Sequence, residues 1–131
     1  MSIKRIGMLT SGGDAPGMNA GIRAVVLAAH HHQIEVVGFY HGFNGLVCEE
    51  HIDMAESLTL IKVSGIIHLG GTLLKSARCP LMYEEKGLKL AAQTLNEHNI
   101  DALVVIGGDG SFSALLALKQ YWSGQMIGIP G

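Results

Sequence analysis

The stretch Leu103-Val-Val-Ile-Gly-Gly-Asp-Gly-Ser-Phe112 gives the clearest indication of both the fold and the function of this chain. Its branched apolar residues 104–106 predict a strand that is buried on both faces. Three glycines then surround a single carboxylate, Asp109, and a helical pattern begins at Ser111. The sequence therefore predicts a strand, a glycine turn and a helix N-terminus, in that order.

Asp109 in this turn admits two interpretations. Glycines let the backbone approach a large anion, and a helix N-terminus offers N–H groups and a partial positive charge. A lone carboxylate there repels phosphate unless a divalent cation lies between them, so Asp109 is a candidate ligand, through water, of a phosphate-bound Mg²⁺. The alternative is a tight turn in which Asp109 or Ser111 caps the helix.

Composition narrows the class of protein. The 131 residues are 48% apolar and 15% charged, which suits one domain with a real core. The net charge of −2 provides no bulk attraction to nucleic acid or to an anionic membrane. No apolar run approaches the roughly 18 residues that a membrane span needs. The early apolar run is too short for a secretory signal, and Cys48 and Cys79 form no disulfide framework, so we expect a cytoplasmic protein.

A second turn repeats the same pattern near the start of the chain. Residues 6–10 predict a strand, Ser11-Gly-Gly-Asp-Ala-Pro-Gly17 a turn, and residues 18–31 a helix. Gly12 and Gly13 could bring N–H groups to a nucleotide, but this stretch taken alone favours a plain turn. Arg23 on the helix is either a solvated residue or an anion contact.

The remaining segments continue the alternation of strands and helices, which predicts a parallel sheet in a three-layer αβα arrangement. Because ligands bind at the carboxyl ends of such strands, the glycine turns converge on one cleft. Arg78 follows a third glycine-marked stretch, from which it could reach a phosphate. Residues 46–67 carry no clear pattern. The other predicted elements are strands at 35–40, 102–106 and 126–129 and helices at 84–98 and 111–122.

Four blocks of this sequence resemble bacterial ATP-dependent 6-phosphofructokinases in order and spacing. The family resemblance implies a Rossmann-like sheet and Mg²⁺-dependent transfer of the ATP γ-phosphoryl group to the 1-hydroxyl of fructose 6-phosphate, a step of glycolysis. The blocks are residues 9–20 with Ile22-Arg23, Gly70-Gly-Thr with Ser76-Ala-Arg78, residues 100–111, and Gly128-Ile-Pro-Gly131.

The resemblance also implies roles for single residues. Arg78 would stabilise charge on the transferring group, and Asp109 would serve the Mg²⁺. Gly110 implies ATP as the donor, since pyrophosphate-dependent relatives carry an aspartate there that would repel the adenosine-side phosphate. The implied ATP-binding residues are Gly13, Arg78, Cys79, Gly108, Asp109, Gly110 and Ser111.

The chain also departs from the family pattern. The family's Thr-Ile-Asp segment, which carries the catalytic base, follows the block that ends here at Gly131. We therefore expect residues 1–131 to be a partial ATP-binding domain with an incomplete sheet, inactive by itself, from a parent kinase that forms a homotetramer. Arg23 matches one basic residue of the family's allosteric effector site, but Leu27 stands where a second arginine is usual.

Two other functions compete with this interpretation. The chain could be a non-catalytic nucleotide-binding fragment or pseudo-subunit, because the base is missing. It could also belong to another kinase group that shares a Gly-Gly-Asp-Gly turn, but the block from Ser11 to Ala20 argues against that group.

Overall fold

The computed structural model describes residues 3–12, 17–47, 54–66, 72–76 and 79–130. Helices and strands alternate along these ranges for most of their length, as the sequence predicts. The strands are β1 Arg5–Thr10, β2 Glu35–Phe39, β3 Ala55–Ser57, β4 Ala102–Gly107 and β5 Gln125–Pro130. The helices are α1 Met18–His31, α2 Asn44–Val47, α3 Leu60–Val63, α4 Glu85–Glu97 and α5 Asp109–Leu118, with a 3₁₀ helix at Pro80–Tyr83.

The five strands form one sheet in the order β3-β2-β1-β4-β5. Strands β2, β1, β4 and β5 are parallel, and β3 adds to β2 in the antiparallel direction. From β1 the chain crosses to β2 on one side, whereas β4 occupies the other side. The strand order therefore reverses between β1 and β4, and a crevice opens at such a point beyond the carboxyl ends of the strands.

Two apolar cores cover the two faces of the sheet. Because side chains alternate along a strand, Leu103 and Val105 of β4 pack with α4 and α5, whereas Val104 and Ile106 pack with α1. Strand β1 divides in the same way, with Leu9 on the α4 side and Met8 on the α1 side. All six residues of β4 are buried, as expected for a central parallel strand. The three-layer αβα fold predicted from the sequence is confirmed.

Two local predictions need correction. Helix α5 begins at Asp109 rather than Ser111, because extended Gly108 (φ −112°) is its N-cap and Gly110 is accommodated in the first turn. It ends at Leu118 rather than residue 122, because the N–H groups of Gln120 and Tyr121 bond three residues back, in turns rather than in a continued α-helix. The sheet is also not wholly parallel. Strand β3 arises in the stretch without a clear pattern, since its Ala-Glu-Ser sequence has no apolar alternation and Glu56 is held by Tyr40 and Lys62.

Candidate functional site: a glycine-lined cleft at the carboxyl edge of the sheet

The floor of the candidate site lies where β1 and β4 end side by side. Thr10 is paired with Ile106, and the Ser11 N–H extends the ladder by donating to the Ile106 carbonyl at 2.9 Å. A Cβ added at Gly107 would lie 2.5 Å from Ser111 Oγ and 2.9 Å from the Ser11 carbonyl oxygen. Gly107 therefore lets the two turns pack against each other, and this glycine serves the fold.

The rim of the site contains glycines of a different kind. Gly12 has φ +86°, and among the described residues no heavy atom lies within 4 Å of a Cβ built there or at Gly108. At Gly110 the nearest such atom is Tyr83 Oη, at 3.9 Å. These three positions leave exposed backbone beside open space, which is what a large anion needs.

A cleft of about 430 Å³ extends from this rim, a volume within the range of small-molecule sites. One wall comes from the turns after β1 and β4 and the other from the 3₁₀ helix and the turn after β2. One wall of the cleft is therefore rich in glycine, and the other is apolar. The lining residues are Ser11, Gly12, Gly108, Gly110, Ser111 and Ala114 on the first side, and Phe43, Cys79, Pro80, Met82 and Tyr83 on the second.

The N-terminus of α5 provides partial positive charge at the glycine-rich wall. The first N–H groups of a helix have no intrahelical partner and carry partial positive charge. At Gly108 no side chain caps α5. Because Gly110 and Ser111 of the first turn line the cleft, backbone donors and the helix dipole lie where an anion would sit.

Asp109 is the first residue of α5, and its side chain is exposed. It adjoins the cleft without being one of its lining residues, whereas both of its neighbours line it. The structure therefore does not support Asp109 or Ser111 as the N-cap, since Gly108 holds that position.

Of the other predicted site residues, one lines the cleft, one does not, and two lie outside the described residues. Cys79 lines the apolar wall and is buried, and burial raises the pKa of its thiol, although hydrogen bonding to the Met82 backbone partly opposes this. Gly13 and Arg78 lie outside the described residues. Arg23 is half-buried on α1 and does not line the described cleft.

Several lining residues were missed by the sequence analysis. Phe43 follows β2, so its place at the carboxyl edge could have been inferred from the strand order alone. Met82 and Tyr83 carry no such signal, because they lie in a short 3₁₀ helix that follows no predicted strand and only the fold brings it to the cleft. The apolar wall is therefore a finding of the structure.

Two kinds of feature are absent from the described part of the chain. There, no group of three or more His, Cys, Asp or Glu residues could hold a metal ion. No helix in the same ranges is long and apolar enough to cross a membrane.

Comparison with known proteins relates this cleft to one family. The sequence model of the family described as phosphofructokinase matches residues 5–131. The chain is 49% identical over 129 residues to the ATP-dependent 6-phosphofructokinase of Thermoanaerobacter sp. (strain X514) and 51% identical over 129 residues to that of Oceanobacillus iheyensis. Each alignment covers 98% of this chain and 39% of the relative, so the chain spans about two fifths of these proteins.

Solved structures agree with the sequence comparison. Pichia pastoris phosphofructokinase in the T-state superposes with a TM-score of 0.90 at 35% identity, over 100% of this chain and 15% of that one. A pyrophosphate-dependent phosphofructokinase from Marinobacter aquaeolei shares the fold, with a TM-score of 0.76 at 23% identity over 96% of this chain and 33% of its own. With a family match over almost its whole length, the chain belongs to the phosphofructokinase family.

Proposed function

We propose that this chain is the ATP-binding part of a cytoplasmic ATP-dependent 6-phosphofructokinase. The parent enzyme would transfer the γ-phosphoryl group of ATP to the 1-hydroxyl of fructose 6-phosphate, giving fructose 1,6-bisphosphate and ADP in glycolysis. The observation that carries the proposal is the glycine-lined cleft at the strand-order reversal, with the uncapped N-terminus of α5 at one end. The names of relatives at 49–51% identity supply the reaction.

The residues of the cleft divide the work of binding. The backbone at Gly108, Gly110 and Ser111, together with Gly13, would contact the phosphates, which phosphoryl transfer requires to be fixed in position. The apolar wall, to which Cys79 belongs, suits the adenosine end of the nucleotide. Arg78 would stabilise charge on the transferring group, since a guanidinium can bind phosphate in bidentate fashion.

Mg²⁺ fits the donor set at this end of the cleft. Asp109 offers one exposed carboxylate beside the helix N-terminus, and Mg²⁺ commonly takes one or two carboxylates, several waters and substrate phosphate oxygens. When bound, the ion would neutralise phosphate charge during transfer. Asp109 would hold the Mg·ATP complex in register with the backbone donors of α5.

Gly110 supports ATP rather than pyrophosphate as the phosphoryl donor. Pyrophosphate-dependent phosphofructokinases share this fold, so the fold alone does not choose the donor. A Cβ at Gly110 would meet only Tyr83 Oη, at 3.9 Å, among the described residues, which leaves the space that a longer nucleotide needs. A carboxylate in that space would repel the adenosine-side phosphate.

Two finer parts of the proposal concern the parent enzyme. We propose a homotetramer, and a role for Arg23 in binding an allosteric effector. Leu27, which is 39% exposed, stands one turn further along α1 and offers no charge. Effector anions should therefore bind more weakly here than to relatives with two arginines on this helix.

A chimera tests the proposal. This chain would replace the matching segment of the Oceanobacillus iheyensis relative, and ADP release dependent on fructose 6-phosphate would be measured against the unaltered enzyme. We expect an active chimera, and we expect Gly110→Asp to abolish turnover with ATP while the protein stays folded. An inactive, folded chimera whose 131-residue chain still binds Mg·ATP would favour the non-catalytic nucleotide-binding fragment or pseudo-subunit instead.

A further inference from the structure

A cluster of three buried polar side chains forms hydrogen bonds around one segment outside the lining of the cleft. Thr10, Asn19 and Thr72 are at most 5% exposed, yet none of them lines the cleft. They come from three separate parts of the chain, namely the end of β1, the first turn of α1 and the segment 72–76. Burying polar groups is costly unless they are hydrogen-bonded, so their bonds indicate what the cluster holds together.

The bonds of the cluster converge on the segment 72–76. The hydroxyls of Thr10 and Thr72 are 3.0 Å apart, and Thr10 Oγ1 also donates to the Lys75 carbonyl at 2.9 Å. Asn19 Oδ1 accepts from the Leu73 N–H at 2.5 Å, and Thr72 Oγ1 accepts from the Leu74 N–H at 3.3 Å. Side chains of β1 and α1 thus form hydrogen bonds with backbone groups of a segment that has no strand or helix of its own.

The backbone of this segment is held in an uncommon conformation. Lys75 has φ +62°, in the left-handed region that a non-glycine residue disfavours. Its carbonyl is the group that accepts from Thr10 Oγ1. A further bond, from the His41 N–H to the Leu74 carbonyl at 2.9 Å, fastens the segment to the turn after β2. Strained backbone persists where surrounding contacts over-determine it.

The cluster connects the two walls of the cleft. Thr10 is followed directly by Ser11 and Gly12, which belong to the glycine-rich wall. The segment 72–76 is bonded through the Leu74 carbonyl to the His41 N–H, in the turn that carries Phe43 of the opposite wall. The hydroxyl pair therefore joins the glycine-rich wall, through the segment 72–76, to the turn of the opposite wall, and neither threonine lines the cleft.

We propose that the hydroxyl pair of Thr10 and Thr72 is a positioning device that fixes the separation of the two cleft walls, so that the cleft is preformed for Mg·ATP. This inference rests on the proposed function and adds two positioning residues to it. A preformed site loses less free energy to ordering on binding, so loosening the walls should weaken nucleotide binding even in a folded protein.

The test compares three valine variants of the 131-residue chain by Mg·ATP calorimetry and urea unfolding. Thr72→Val and Thr10→Val each remove the hydroxyl pair with little change of shape. Thr94→Val is the matched control, because its hydroxyl bonds to the Leu46 and Leu90 carbonyls and none of these three residues lines the cleft. We expect the first two to raise the Kd for Mg·ATP at least fivefold and Thr94→Val to leave it within twofold. Thr72→Ser, which keeps the hydroxyl, should restore wild-type affinity, a rescue that a loss of packing alone would not give.

The outcomes separate this inference from the proposed function. If the wild-type chain does not bind Mg·ATP, the proposed function fails and takes the inference with it. If the wild type binds and folded Thr72→Val or Thr10→Val binds equally well, the positioning role alone is overturned. A failure of both valine variants to fold would make the cluster structural and would also overturn it.

Discussion

The floor and the rim of the cleft contain glycines that neighbour each other in sequence and have opposite surroundings. On the floor, Gly107 is packed so tightly that an added Cβ would meet Ser111 Oγ at 2.5 Å. On the rim, an added Cβ at Gly108 would meet nothing within 4 Å among the described residues. One short motif therefore contains two kinds of glycine. Gly107 is needed for the packing of the fold, whereas Gly108 leaves space for a ligand.

The largest effect is expected on the floor, from Gly107→Ala. The new methyl group would push apart the turns after β1 and β4, and overpacking of this kind costs about 1–3 kcal/mol. Urea unfolding should show this loss in the free energy of unfolding. A wild-type unfolding midpoint would contradict the distinction between floor and rim, because Gly107 would then be as unconstrained as Gly108.

An intermediate effect is expected from Gly12→Ala on the rim. Space is available there, but φ +86° is unfavourable for any residue with a Cβ, at a cost of about 1–2 kcal/mol. The same unfolding measurement applies, with Gly108→Ala as the matched control at an ordinary φ of −112°. Equal stability of the two variants would show that backbone conformation does not distinguish these rim positions.

Gly108→Ala itself should separate folding from binding. Its unfolding free energy is expected to fall by no more than about 1 kcal/mol, the cost of alanine for glycine at a helix N-cap, since the methyl group meets no described neighbour. Its Mg·ATP affinity should fall by about tenfold, or about 1.4 kcal/mol, because the methyl group occupies the space beside the phosphates. Unchanged affinity in calorimetry would indicate that the rim is not the phosphate site.

The smallest effect concerns the thiol of Cys79. Because burial raises its pKa, less of the reactive thiolate is present at pH 8 than in an unfolded chain, and the difference should shrink as the pH rises through the raised pKa. Alkylation of a Cys48→Ser chain by iodoacetamide would be followed against pH, with the urea-unfolded chain as the control. Equal rates at pH 8 in the folded and unfolded chains would show that the apolar wall is open to solvent.

The sequence predicted those parts of the molecule that depend on local pattern. The strand, glycine and helix order around Gly108 and the helix Met18–His31 follow from glycine placement and apolar periodicity, and both are confirmed, although α5 begins two residues earlier than predicted. Strand β3 was not predicted, because a short polar edge strand carries no alternation. Tyr83 was also missed, since only tertiary packing brings it opposite Gly110. The roles of Gly13 and Arg78 stay predictions, as these residues lie outside the described ranges.

The most direct test of the central claim is the Mg²⁺ dependence of ATP binding at Asp109. Calorimetric titrations would compare the wild-type chain with Asp109→Asn, each with ATP in excess Mg²⁺ and with ATP in EDTA. We expect the variant to lose about tenfold in affinity for Mg·ATP, or about 1.4 kcal/mol, and to bind metal-free ATP at least as well as wild type, because one carboxylate no longer repels the phosphates. An equal loss for both forms of ATP, or no loss for either, would contradict the role of Asp109 as the counter-ion ligand of a glycine-lined triphosphate site.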